Sequence, residues 1–218
     1  METTTTDRRT DVLKASPRMF ESDLLDKLSR VHPSVPVILF LPAILVLLGL
    51  GLARMGVLPL IGLFAAGYAF WTLSEYWIHR GIFHWEPEGG WGAKMHWMIH
   101  GVHHDHPNDP LRLVMPPAAS IPLASLFILA FVLVIGTPKA FPFAGGFLAG
   151  YLIYDMIHYA LHHHRPRTAF GRWLRELHMR HHFQDDTRGF GIAAPYWDFV
   201  FRTNVDRAKR ATPAPPED

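Results

Sequence analysis

Cysteine is absent from the 218 residues, which excludes disulfides, thiolate-held zinc, iron–sulfur centres and a thiol nucleophile. Charge is scarce as well. Only 18% of residues are charged against 49% hydrophobic and 13% aromatic, too apolar for a disordered chain and too charge-poor for an ordinary soluble enzyme. Neither sign dominates: 21 basic residues face 19 acidic ones, a formal charge of +2, which gives no nucleic-acid-binding surface. Residues 1–34 lack the apolar core of a secretory signal and read as a polar, partly helical leader. The length predicts one domain. Against these absences stands histidine, with fifteen copies.

Four stretches are nearly free of charge: residues 35–53, 57–74, 113–138 and 140–161, the last interrupted only by Asp155. At about 1.5 Å per residue each can cross a hydrocarbon core roughly 30 Å thick. Arg54, Met55 and Gly56 separate the first pair, and Lys139 lies in a short turn between the second. Pro42 and Pro122 predict kinks, which membrane helices tolerate. The expected fold is therefore all-α and integral to a membrane, with four transmembrane helices over 35–205, the leader before them and a flexible tail at 206–218. Nineteen of the 21 Lys and Arg residues then lie on the side that also holds both termini, which predicts that side to be cytoplasmic.

Fourteen of the histidines fall in three short stretches beside the ends of these runs, and only His32 lies apart. Steps of three or four residues return to one helix face. His100, His103 and His104 thus form one HxxHH triplet, and His178, His181 and His182 another. His158 and His162 make an i,i+4 pair on the last turn of the fourth span. His79 and His84, five apart, sit about 140° around an ideal helix, so their convergence predicts a helix end or distortion near Gly81. These ten imidazoles suit two metal ions of about five ligands each. A structural zinc takes four ligands and a hydrolytic zinc three plus water, so ten exceed either need. Imidazole also serves copper, nickel and iron. A site reachable by an acyl chain lying in the leaflet favours two irons with O2 as cosubstrate.

The motifs HxxxxH, HxxHH and HxxHH, in that order and separated by 15 and 73 residues, resemble those of the fatty acid hydroxylase and sterol desaturase superfamily of membrane di-iron oxygenases. The stretches HGVHHDHPNDPLRLVMPP, GYLIYDMIHYALH and LHMRHHFQDDTRGFGIAAPYWD are most similar to its fatty acid 2-hydroxylase branch, over roughly residues 68–202. The resemblance implies four spans with a cytosolic helical cap, the same ten histidines as ligands, and a 2-hydroxy acyl product. A fused cytochrome b5-type domain does not fit in the leader, so the expected electron source is a separate ferredoxin or cytochrome b5-type protein with its reductase. The short leader and missing retention signal favour a bacterial inner membrane.

Neighbouring residues carry further expectations. Glu75 precedes His79 by four and Asp155 precedes His158 by three, spacings that predict hydrogen bonds to ligand imidazoles, and His96 shares the face of His100. Tyr154, Tyr159 and Trp197 are candidates for a substrate entrance. Lys94, Arg112 and Arg188 are candidates for a lipid headgroup, while His106, His163 and His164 are expected to face solvent or headgroups. Zinc lies above Fe2+ in affinity for nitrogen ligands and is expected to compete for the sites in purified protein. The competing readings are a carotenoid ring hydroxylase, a sterol desaturase or methyl oxidase, and a non-oxygenase membrane metal-binding or zinc hydrolytic protein.

Overall fold

Apolar runs in a bilayer must satisfy their own backbone hydrogen bonds, which only a helix does within one segment. The computed structural model describes residues 9–205, so residues 1–8 and the expected tail at 206–218 lie outside the described residues. Within them the chain forms α1 (Arg9–Lys14), α2 (Asp23–Leu28), α3 (Ser34–Leu52), α4 (Val57–Ile78), α5 (Gly90–His96), α6 (Val102–Asp105), α7 (Pro117–Ile135), α8 (Ala140–His163), α9 (Ala169–Phe183) and α10 (Tyr196–Phe201). Four are long and apolar enough to span a membrane: α3, α4 with its continuation to Phe83, α7 and α8. Pro42 and Pro122 lie inside α3 and α7 without ending either helix. The third span begins at Pro117 rather than near 113, since consecutive prolines favour a helix start there, and Val114 is buried ahead of it.

Helix α8 is the centre of the bundle and packs against α3, α4 and α7. Its Phe147, Leu148 and Tyr151 meet Phe40, Ile44 and Leu47 of α3, Trp71 of α4 and Phe131 of α7. Helices α4 and α8 approach backbone to backbone: a Cβ on Gly67 would lie 1.9 Å from Phe143 O, and one on Gly146 would lie 1.9 Å from Phe64 O. Small residues permit such crossings between membrane helices, where packing replaces the hydrophobic effect. The opposite faces of α3, α4 and α7 leave Val46, Leu58, Leu133 and Val134 exposed. An apolar exterior of this extent belongs in lipid. The chain is an integral membrane protein.

Short turns close one end of the bundle, and the histidine motifs gather at the other. There the leader folds over the loop that follows α6. Asn108 N donates to Leu13 O at 3.0 Å, Val31 N to Leu111 O at 2.7 Å, and His106 Nδ1 to Val12 O at 2.6 Å. Arg112, expected to meet a lipid headgroup, is instead buried beneath this strap. Its guanidinium lies 2.8 Å from Asp26 Oδ1, 2.8 Å from Ser29 Oγ and 3.7 Å from Asp109 Oδ2, so its charge is matched internally.

Candidate dinuclear metal centre

The five-residue step from His79 to His84 is resolved by a π turn. Residues His79–Phe83 form it at the end of α4, closed by His84 N donating to His79 O at 3.1 Å. The wider turn places both rings on one side of the chain. A second π turn, Trp97–Gly101, contains His100 and leads into α6. Single π turns of this kind are frequent at functional sites.

Ten imidazoles meet in two groups of five. His79, His84, His100, His104 and His181 form the first, and His103, His158, His162, His178 and His182 the second; within each group the five nitrogens lie within 4.8 Å of one another. Neither HxxHH triplet stays together. On a helix, positions i and i+4 differ by about 40° whereas i+3 swings about 60° the other way. His100 and His104 therefore share the first group while His103 crosses to the second, and His178 and His182 share the second while His181 crosses to the first. The groups touch, with the His104 and His182 rings 4.3 Å apart.

The donor set fits cations. Nε2 atoms stand 3.2 Å apart between His79 and both His84 and His100, 3.1 Å between His84 and His181, and 3.0 Å between His100 and His104. In the second group the separations are 2.9 Å for His103 and His158, 2.8 Å for His162 and His178, and 3.2 Å for His178 and His182. His79 Nδ1 donates to Phe190 O and His181 Nδ1 to Arg188 O, each at 2.7 Å. A carbonyl only accepts, so each of these Nδ1 atoms holds the proton and each neutral ring turns a bare Nε2 lone pair inward. Burial first, and neighbouring imidazoles second, hold His84 down to about 3 and His104 down to about 2. The same causes push His100, His103, His178 and His182 well below the ordinary histidine value. Convergent lone pairs on rings that resist protonation are relieved by a metal ion.

The neighbours depart from expectation. Glu75 does not reach an imidazole: its Oε1 accepts from Ala193 N at 2.7 Å across the bundle end, and Oε2 is buried without a partner among the described residues. Asp155 meets the Tyr151 hydroxyl of its own helix at 3.4 Å. In both cases the side chain meets a donor other than the imidazole that helical spacing suggested. His96 lies half-buried beside His84 and His104 and adds no nitrogen to either group. Tyr154 is buried between Trp71 and His158, Tyr159 stacks on His163, and Trp197 Nε1 donates to Thr72 Oγ1 at 3.2 Å. Lys94 is exposed, His163 is half-buried, His164 and His32 are exposed, and Arg188 pairs with Asp185 at 3.6 Å.

The main chain of residues 188–194 and the side chain of Asp198 shape the site beyond the expected residues. The Arg188 and Phe190 carbonyls aim two ligand rings, and the carboxylate of Asp198, 3% exposed, accepts from Phe190 N and Gly191 N. Burial pushes its carboxyl upward, and the bonds from Gly191, Thr203 and Phe190 oppose that rise. A lone acid inside the run IAAPYWDFVF was the available signal.

This arrangement has relatives. Residues 64–203 match the family model described as Fatty acid hydroxylase. The chain belongs to the fatty acid hydroxylase family. Among its members, the dihydroceramide fatty acyl 2-hydroxylase FAH2 of Arabidopsis thaliana is 41% identical over 191 residues, covering 86% of this chain and 79% of its own. The ceramide very long chain fatty acid hydroxylase SCS7 of Saccharomyces cerevisiae is 37% identical over 196 residues, 87% of this chain and 50% of its own. A solved structure of full-length scs7p, with only the hydroxylase domain visible, superposes with a TM-score of 0.78 at 35% identity, covering 84% of this chain and 70% of that one. For this hydroxylase chain the match runs from within α4 to just past α10 and contains all ten clustered histidines.

Proposed function

We propose that this chain is a di-iron oxygenase that hydroxylates a lipid acyl chain at carbon 2, with O2 as cosubstrate and electrons from a separate ferredoxin or cytochrome b5-type donor and its reductase. The observation that carries this reading is the pair of five-nitrogen groups at the ends of two membrane spans in a chain whose relatives are named 2-hydroxylases. His79, His84, His100, His104 and His181 would hold one iron; His103, His158, His162, His178 and His182 would hold the other. Two such irons supply the activation of O2 for insertion of one oxygen atom into an unactivated C–H bond.

The protein's own residues do the remaining work. Burial keeps the imidazoles neutral and therefore available as ligands. The carbonyls of Arg188 and Phe190 hold the rings of His181 and His79 in one tautomer and one orientation. Tyr154 and Trp71, packed together beside His158, close the bundle side of the site to water. Carbon 2 lies beside the lipid headgroup at the membrane interface, whereas the chain terminus lies about 15 Å deeper, near the middle of a core roughly 30 Å thick. Ligands at span ends therefore meet carbon 2 with little displacement of the lipid. The clustering of 19 of 21 basic residues supports a cytoplasmic position for this end and both termini.

Two measurements test the proposal. Purified protein is expected to hold two metal ions per chain, iron or competing zinc, and His103→Ala or His181→Ala should abolish activity while His32→Ala does not. Mass spectrometry of fatty acids released from a host grown under ¹⁸O2 should find the label on carbon 2. One ion per chain, or label only on a sterol, a carotenoid ring or the chain terminus, overturns it.

A further inference from the structure

The two histidine groups differ in what aims their rings. In the first, His79 and His181 are fixed by carbonyls of the same loop, two residues apart. In the second, Nδ1 of His162, His178 and His182 is buried with no hydrogen-bond partner among the described residues. A carbonyl can fix a ring only as well as its own backbone is fixed. At Phe190, whose carbonyl aims His79, that duty falls to one carboxylate. Asp198 Oδ1 accepts from Phe190 N at 2.9 Å, and Oδ2 accepts from Gly191 N at 2.8 Å. Phe190 is thereby held at both ends, its N–H on Asp198 and its carbonyl on His79.

The carboxylate is itself held by a relay. Arg80 Nη1 donates to Tyr76 Oη at 2.9 Å, Tyr76 Oη meets Thr203 Oγ1 at 2.9 Å, and Thr203 Oγ1 donates to Asp198 Oδ1 at 2.8 Å. The backbone closes the unit: Gly189 N donates to Thr203 O and Thr203 N to Asp198 O, each at 2.8 Å. Glycine at 191 is required for this approach, since a Cβ there would stand 2.5 Å from Ala194 O and 2.9 Å from Asp198 Oδ2. Glu75 pins the far side of the loop through Ala193 N.

We propose that Asp198 is a positioning residue for the first metal site only: by fixing Phe190 and Gly191 it sets the orientation of His79 and His181, and so the affinity of that site, without acting on the second. The proposal rests on the reading of the two groups as metal sites. Outer partners of metal-bound histidine typically alter affinity roughly 10- to 100-fold when lost. Asparagine in place of Asp198 offers one acceptor oxygen and turns its NH2 toward the other N–H, so one of the two loop bonds is lost.

The experiment is a titration of full-length protein in detergent with zinc alone, read as stoichiometry and affinity. Wild type should bind two ions. Asp198→Asn should bind one as wild type does and the other roughly 10- to 100-fold more weakly. In a His182→Ala background, which damages the second site, the same change should weaken the ion that remains. Thr203→Val, isosteric and lacking only the hydroxyl, should weaken the same single site to a smaller degree, and it decides the matter where Asp198→Asn fails to fold. Wild type binding fewer than two ions would overturn the dinuclear reading itself. Two ions bound normally by both variants, or both ions weakened alike by a folded variant, would overturn the role given to Asp198 while leaving the dinuclear reading intact.

Discussion

The two five-histidine groups are assembled by one recipe and supported by different scaffolds. Each takes an i,i+4 pair from one HxxHH motif, the i+3 ring from the other, and two rings from the end of a membrane span. In the second group the span is α8, the regular helix at the centre of the bundle, and its His158 and His162 are one turn apart. Helical geometry and packing already aim those rings. In the first group His79 and His84 flank a π turn at the exit of α4, and His100 lies in another. In this group backbone carbonyls appear as partners of two of the rings. His79 at its π turn and His181 on the regular helix α9 take their aim from carbonyls of one loop, whereas His158 and His162 take theirs from the geometry of α8.

Acid should erase this contrast, and with the largest effect. The folded chain holds His84 at about 3 and His104 at about 2, against about 6.5 for an unfolded histidine. Between these values the unfolded state binds more protons, so stability is full above pH ~6.5 and is lost as pH falls toward 3. His103, His178 and His182 of the second group shift in the same direction. Bound metal and native tryptophan fluorescence should therefore be lost together for both sites in one transition as pH falls, whereas stepwise metal loss would show that the groups titrate independently.

Gly146→Ala should also strike both sites. The added methyl would meet Phe64 O at 1.9 Å and force α4 from α8, separating the helices that bring His79 and His158 to the centre. Overpacking of this kind costs about 1–3 kcal/mol or more, and metal content should fall at both sites together. Arg112→Ala comes next. It leaves Asp109 without its buried cation, while Asp26 keeps Arg30 at 3.1 Å. The affected loop follows α6, which supplies His103 to one site and His104 to the other, so a lowered melting temperature should accompany weaker binding at both. Retention of the wild-type melting temperature would show that the leader strap contributes nothing.

Particular residues mark how far the sequence could be read. Runs without charge gave four spans, because a membrane helix must be long and apolar whatever it packs against. The ten clustered histidines were recognisable by spacing, since i,i+4 and a strained i,i+5 are local properties. Their crosswise division was not drawn from the motifs, although the angle between i+3 and i+4 contains it. Glu75 and Asp155 show the limit of helical spacing: both had an imidazole one turn away and both turned elsewhere, to Ala193 N and to Tyr151. The partners that do aim rings are main-chain carbonyls. For His79 that partner is 111 residues distant in sequence, and a carbonyl is the same on every residue. Arg112 was misread for a related reason, as its acceptors Asp26 and Ser29 come from a leader that reads as merely polar.

The smallest effect is the one that sharpens the comparison most. Tyr76, fully buried, sits midway along the relay from Arg80 to Asp198, giving its proton to Thr203 and accepting one from Arg80. Tyr76→Phe keeps the ring and its stacking on Phe201 at 4.8 Å but removes the hydroxyl. Thr203 retains its bond to Asp198 and loses only the donor behind it, so the cost is that of one net hydrogen bond, about 1 kcal/mol. If Asp198 serves the first site alone, that cost should appear as at most about a fivefold weaker first ion, with the second unchanged and the melting temperature nearly so. A change shared by both ions would mean that the relay supports the fold of the whole bundle end rather than the aim of two rings.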